Sequence, residues 1–202
     1  MAIIKPNNNT LSAITVLPAA DGSSLTNIPV GLTLLSTSSI TSGDDTVLLD
    51  VSSDTYDTFF ILGTNVAGTS SSNGRPIFRM KREGQSSADI GSSDYGAEGI
   101  LYDTGGSHII NDNYNANRIV AFPFDIACSR LKHFSFYVLG ARTTSFRCGI
   151  HGGIAQEGDG SNTGHVAFGG NRNSTDKVTD IQFKFTVGNI DSGEFKVYGV
   201  KK

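Results

Sequence analysis

The side chains able to do chemistry in this chain include four histidines, two cysteines and nineteen carboxylates. His151 and His165 bracket the stretch GGIAQEGDGSNTG, so one loop can bring two imidazoles to its mouth, either around a metal or as plain strand ends. No pair of histidines has the four-residue spacing that sets two ligands on one helical turn. Within that loop Glu157, Asp159 and Ser161 alternate with Gly158 and Gly160. A hard cation wants several oxygens on a tight turn, but this loop lacks the Asp-rich start and the closing bidentate Glu of a calcium loop. It reads as a glycine-rich turn. The segment GSSDYG, Gly91 to Gly96, misses the G-x-S-x-G spacing of a nucleophile elbow, and no helix signal follows it. Gly105-Gly106 lacks the third glycine and following helix of a dinucleotide fingerprint. Glycoside hydrolysis needs two carboxylates at a set separation, and nothing singles out a pair here. The expectation is no catalytic residue, no metal and no cofactor.

Binding chemistry fares better. NDNYNANR supplies Asn111, Asp112, Tyr114, Asn115 and Arg118 within a few residues. A tyrosine ring can stack on the C–H face of a sugar while amides and carboxylates bond its hydroxyls. The same letters also make an ordinary Asn-rich turn, and both readings stand at this point.

The elements that must position these groups are strands. Gly, Ser, Thr and Asn are abundant, charged residues are 17%, and runs of strong helix formers are scarce. LTLLSTSSI and TVLLDV flank a TSGDD turn. In TYDTFFILGTNV, Phe59, Ile61 and Gly63 oppose Phe60 and Leu62, which predicts a central strand covered on both faces. PIFRMKRE alternates, placing Arg79 and Lys81 on a solvated face; residues 84–98 read as a long polar loop. In RLKHFSFYVLG, Phe134, Phe136 and Val138 face one way and His133, Ser135, Tyr137 and Leu139 the other; ARTT then turns into SFRCGIH as a hairpin. GHVAFGG is a further strand, and Pro123 marks RIVAFPFD as an edge or a bulge. At the end, Ile181, Phe183 and Phe185 precede GNIDSG and then Phe195 and Val197, which predicts a closing antiparallel hairpin. About ten strands at this spacing predict an all-β fold, an antiparallel β-sandwich of jelly-roll type over 31–202.

Residues 1–30 differ. They are polar, punctuated by Pro6, Pro18 and Pro29, and carry Ile3, Ile4, Leu11, Ile14, Val16 and Leu17 without periodicity. They read as a separate extended N-terminal arm, either a disordered tail or a docking arm that orders on a neighbour. The start lacks a signal-peptide pattern, and no apolar run approaches a membrane span. A net charge of −3 disfavours nucleic acid as a partner. Cys128 and Cys148 sit in no CxxC; Cys148 alternates with Phe146 and Ile150 and is expected in the core, and a disulfide between the two is disfavoured in a reducing cytosol.

Three stretches carry a family resemblance. MAIIKPNNNTLSAITVLPAA, the block LLSTSSITSGDDTVLLDVSSDTYDTFFIL with its step from Tyr56 to Phe59, and the closing DIQFKFTVGNIDSGEFKVYGVKK resemble small structural proteins of tailed bacteriophages, particularly those of marine bacteria and cyanobacteria. Residues 84–117 match nothing in that pattern. The resemblance implies a virion component made in the host cytoplasm: a head decoration protein, a fibre-like appendage or a tail adaptor. It implies a symmetric homo-oligomer, often a trimer, contacting other virion proteins. The expectation is therefore a non-enzymatic structural protein docking through its arm. A receptor- or carbohydrate-binding module of a tail fibre, taking a host surface glycan, is the second expectation.

Overall fold

The structure is a computed structural model that describes residues 31–41, 43–71, 73–102, 108–121, 126–156 and 164–201; for 73, 97–102, 108–115, 126 and 164 it describes the backbone. The arm residues Ile3, Ile4, Leu11, Ile14, Val16 and Leu17 lie outside the described residues, as do Pro123 and the acidic loop at 157–163.

Among the described residues there are fourteen strands and no helix. They are β1 (Leu32–Ile40), β2 (Val47–Asp50), β3 (Thr58–Gly68), β4 (Asn73–Gly74), β5 (Pro76–Arg82), β6 (Tyr95–Tyr102) and β7 (His108–Ala116). Then come β8 (Ile119–Val120), β9 (Ile126–Ala127), β10 (Lys132–Leu139), β11 (Gly149–Gln156), β12 (Gly164–Arg172), β13 (Val178–Phe185) and β14 (Ile190–Val200). An eight-stranded antiparallel sheet has the order β1-β14-β3-β10-β11-β12-β6-β7. A four-stranded sheet has the order β2-β13-β5-β8, and β4 pairs with β9.

Set aside the inserted hairpins β6–β7 and β11–β12 and the short β4–β9 ladder, and eight strands remain. In chain order they run large, small, large, small, small, large, small, large. That alternation, with the last strand inserted beside the first, is the jelly roll. The inserted hairpins widen one sheet from four strands to eight.

The core lies between the sheets, where the apolar members of each alternating strand meet. Phe78 of the small sheet stacks on Phe168 at 5.5 Å, leans on Phe136 at 4.7 Å and meets Phe134 edge-on at 6.0 Å, all three from the large sheet. Phe183 does the same with Phe134 at 5.2 Å and Phe195 at 5.1 Å. Each such ring contributes on the order of 1.5–3 kcal/mol by burial. Cys148 is in this core as expected; both cysteines are buried, and no disulfide joins them.

Four expectations need correction. The last two strands are not a hairpin: β13 pairs with β2 and β5, whereas β14 pairs with β1 and β3. The chain between them crosses from one sheet to the other, because Phe183 and Phe195 fill the same core from opposite sides. β3 is central in its sheet but covered on one face only; Phe59 and Ile61 are fully buried while Phe60 and Leu62 are half-buried. The polar loop ends at Tyr95, which starts β6 and is fully buried. Phe146 precedes β11 instead of alternating within it, and is exposed.

One end of the sandwich is clipped by charge. Asp89, in the loop before β6, accepts from Arg172 of β12 and from Arg82 of β5. Asp176 accepts from the same two guanidiniums. The Tyr95 hydroxyl accepts from the Met80 amide at 2.7 Å and reaches the Asp89 carbonyl at 3.2 Å. Burial raises the Tyr95 pKa, so the donor stays protonated.

Candidate functional site

Alternation leaves one side chain in two on the outer face of the large sheet, and the ladder register sets them in rows. Leu34 of β1 stands opposite Tyr198 of β14, Tyr198 opposite Phe60 of β3, Phe60 opposite Tyr137 of β10, and Tyr137 opposite His151 of β11. The ladder continues through Gly169 of β12 and Glu98 of β6 to Asp112 of β7. Adjacent strands lie about 4.8 Å apart, so this line crosses all eight. The three rings touch: Phe60 lies 5.1 Å from Tyr137 and 6.0 Å from Tyr198, tilted by 49° and 39°. The row beside it runs from Leu32 through Val200 and Thr58 to Leu139.

Together these form an aliphatic and aromatic surface on β1, β14, β3 and β10. Leu34 is 52% exposed, Leu139 44%, Tyr137 43% and Leu32 41%. Isolated exposed leucines are ordinary, but a contiguous group on one face is characteristic of an interaction surface. The nearby charges pair with each other: Lys196 meets Glu194 at 2.7 Å, and that bond raises the Lys196 pKa.

The histidines do not form a pair. His151 and His165 both stand on the outer face, but His151 faces Gly169 and His165 faces Ala155. Four ladder positions separate them, roughly 13 Å along the strands. The Nδ1 of His133 accepts from the Asn65 amide at 3.5 Å. Among the described residues, no three His, Cys, Asp or Glu groups come together as metal ligands.

The Asn-rich segment is a strand where a turn was the competing reading: Asn111, Asp112, Tyr114 and Asn115 belong to β7, with Asn111 opposite Gly99 and Asp112 opposite Glu98. Their side chains lie outside the described residues. Arg118 follows in the short connection to β8 and is half-buried. The expected binding cluster is thus spread along the last strand of the large sheet.

A depression of about 450 Å³ at the clipped end is lined by Arg82, Glu83, Gln85, Asp176 and Lys177. Its charges already have partners: Arg82 pairs with Asp89 and Asp176, Lys177 with Asp54, and Arg142 with Asp54 and Glu83. The Ser174 hydroxyl and the Arg172 guanidinium hold the Asp176 pKa down to about 2. These carboxylates are tied as a structural clip.

The fold and its surface define an extended jelly-roll sandwich that holds an aliphatic and aromatic sheet face out to solvent. No protein-family model matches the chain, and no curated protein matches it. Among solved structures, the chain is similar to the CBM2 module of the evolved Dit of Lactobacillus casei BL23 phage J-1. That likeness covers 88% of this chain and 94% of that one, at 14% identity and a TM-score of 0.23. A score of that size establishes no shared function.

Proposed function

We propose that the chain is a non-enzymatic structural component of a bacteriophage particle, a surface or fibre-like protein that works by contact with other proteins. The phage part of this reading rests on the resemblance of the N-terminal block, the Tyr56–Phe59 step and the closing strands. The contact part rests on one observation: Leu32, Leu34, Phe60, Tyr137, Leu139 and Tyr198 share one outer face and leave a large part of it open to water. Leaving that surface wet in the working particle forgoes burial of about 25 cal/mol per Å². The arm, with Ile3, Ile4, Leu11, Ile14, Val16 and Leu17, belongs to this proposal as a latch on a neighbouring virion protein. Replacing Leu34 and Leu139 together by Lys tests the face. The double variant is expected to melt as the parent does and to be lost from particles. Unchanged incorporation would count against the contact surface.

A second reading has its own observation, the touching row of Tyr198, Phe60 and Tyr137 across neighbouring strands. Rings in file can stack on successive sugars of a host surface glycan. In this reading Asn111, Asp112, Tyr114, Asn115 and Arg118 on and beside β7 form a second, polar contact. A glycan array probed with the parent and with Tyr137→Ala tests it: signal lost with the ring supports sugar recognition, and no signal from the parent removes it.

A further inference from the structure

A sheet ends in unpaired backbone groups, and proteins blunt such edges with short strands, charge or proline. Among the described residues the eight-stranded and four-stranded sheets have four edge strands, and three of them are guarded by shortness or charge. β8 is two residues long. β2 is four residues long and closes on the exposed Asp50. β7 carries Asp112 among asparagines. β1 is as long as β7, nine residues, but differs from it in charge: the sequence from Gly31 to Gly43 contains no charged residue and no proline. Its one edge device is a bulge between Leu34 and Ser36, and from Ser36 to Ile40 the strand runs in regular register. Leu32, Leu34 and Leu35 are exposed along it.

We infer that β1 is the pairing edge for a second copy of this chain, with the two β1 strands antiparallel about a two-fold axis. An uncharged edge suits its own copy, because no like charges are brought face to face. A two-fold contact uses the same patch on both partners, so it closes at two and builds no filament. Pairing would join two eight-stranded sheets into one and make their outer aliphatic faces continuous. The edge is roughly 30 Å long and about 10 Å deep, on the order of 300 Å² a side. That is well below the ~800 Å² per partner of stable complexes. The pairing is therefore weak in dilute solution and favoured where copies are concentrated. This deepens the assembly reading above and rests on it for its biological sense.

The test is sedimentation velocity on the full chain from about 1 to 100 µM, for the parent, for Thr37→Lys with Ser39→Lys, and for Leu139→Lys. Thr37 and Ser39 are exposed on β1, and Leu139 lies on β10, three strands inside the edge. The parent is expected to move with concentration from 21.4 kDa toward twice that mass. The edge variant is expected to stay monomeric with an unchanged melting curve, and Leu139→Lys is expected to dimerise like the parent. Amide exchange over residues 32–40 should slow as the parent dimerises. A parent that stays monomeric at every concentration, or forms a trimer, overturns the inference. So does a dimer lost through Leu139→Lys but kept by the edge variant; that result would place the contact on the sheet face. Loss from particles on Leu139→Lys alone, which leaves β1 untouched, is a separate readout, so the edge can fail while the assembly role stands.

Discussion

Lys132 is a cation placed where the alternation of β10 calls for an apolar side chain. It sits in the inward series with Phe134, Phe136 and Val138 and is fully buried. Its ammonium donates to the carbonyls of Ala127, Cys128 and Arg130 at 3.1, 3.0 and 2.8 Å, and lies 5.2 Å from the Phe185 ring centre. These contacts tie the turn before β10 to the strand itself. Burial opposes the charge and pushes the Lys132 pKa down to about 8. The ordinary lysine value is 10.5. Between these two values the unfolded chain binds more protons at this site than the folded one, so stability rises with pH there. Below the folded value both states are protonated and the contribution is flat. Cys148 runs the other way: burial pushes its thiol up to about 12, which costs stability as pH rises above the ordinary thiol value. Comparing the parent with Lys132→Met at each pH cancels the Cys148 effect. The stability difference is expected to shift in the parent's favour from pH 8 to 10.5, by on the order of 3 kcal/mol. Paired denaturant titrations at several pH values read it directly; a flat difference would mean that the ammonium is solvated.

At the scale of the element, β11 and β12 show how two glycines in the same fold do different work. Gly152 points inward, where an added Cβ would lie 2.3 Å from the Ser135 carbonyl oxygen and from the Phe136 Cβ. Backbone atoms cannot yield that space, so the close approach of β10 and β11 depends on the missing side chain. Gly169 points outward, and its added Cβ would meet nothing nearer than 3.5 Å. Gly152→Ala is expected to cost at least 1–3 kcal/mol. Gly169→Ala is expected to be neutral, or to gain about 0.5–1 kcal/mol from the lower entropy of the unfolded chain. Thermal melts of the two variants side by side decide it. The sequence carried this element scale unevenly. Alternation placed Phe134, Phe136 and Val138 inside and His133, Tyr137 and Leu139 outside, because period two is a local property. Partner choice is not local: the closing strands look like a hairpin in sequence, yet a polar turn between alternating runs is equally compatible with a sheet crossing. The outer row was illegible for the same reason. Phe60, Tyr137 and Tyr198 are each an unremarkable outward residue until long-range register sets them side by side.

At the scale of the whole molecule, the order of the large sheet makes the chain's last strand an interior one. β14 lies between β1 and β3, the first strand described and one of the next two. Its Ile190, Phe195 and Val197 are buried, and Phe195 packs on both Phe134 and Phe183. β1 and β3 cannot complete their ladders until residues 190–200 arrive, so pairing is non-local and folding is expected on the millisecond-to-second scale. The same topology predicts the outcome of truncation. Removing residues 190–202 deletes three buried apolar side chains, each contributing about 1.5–3 kcal/mol, and unpairs β1 and one side of β3. The apolar loss alone is comparable with the 5–15 kcal/mol that stabilises a typical domain, before the stranded backbone groups are counted. The truncated chain is expected to show no cooperative melt and to expose the Phe134–Phe183 cluster to a hydrophobic dye. Adding a peptide covering residues 190–200 in trans should restore part of the cooperative transition, as donor-strand complementation does when a strand is supplied from outside. A truncated chain that melts cooperatively near the parent's temperature would show that β1 and β3 can close without β14, and with it the jelly-roll order would fall.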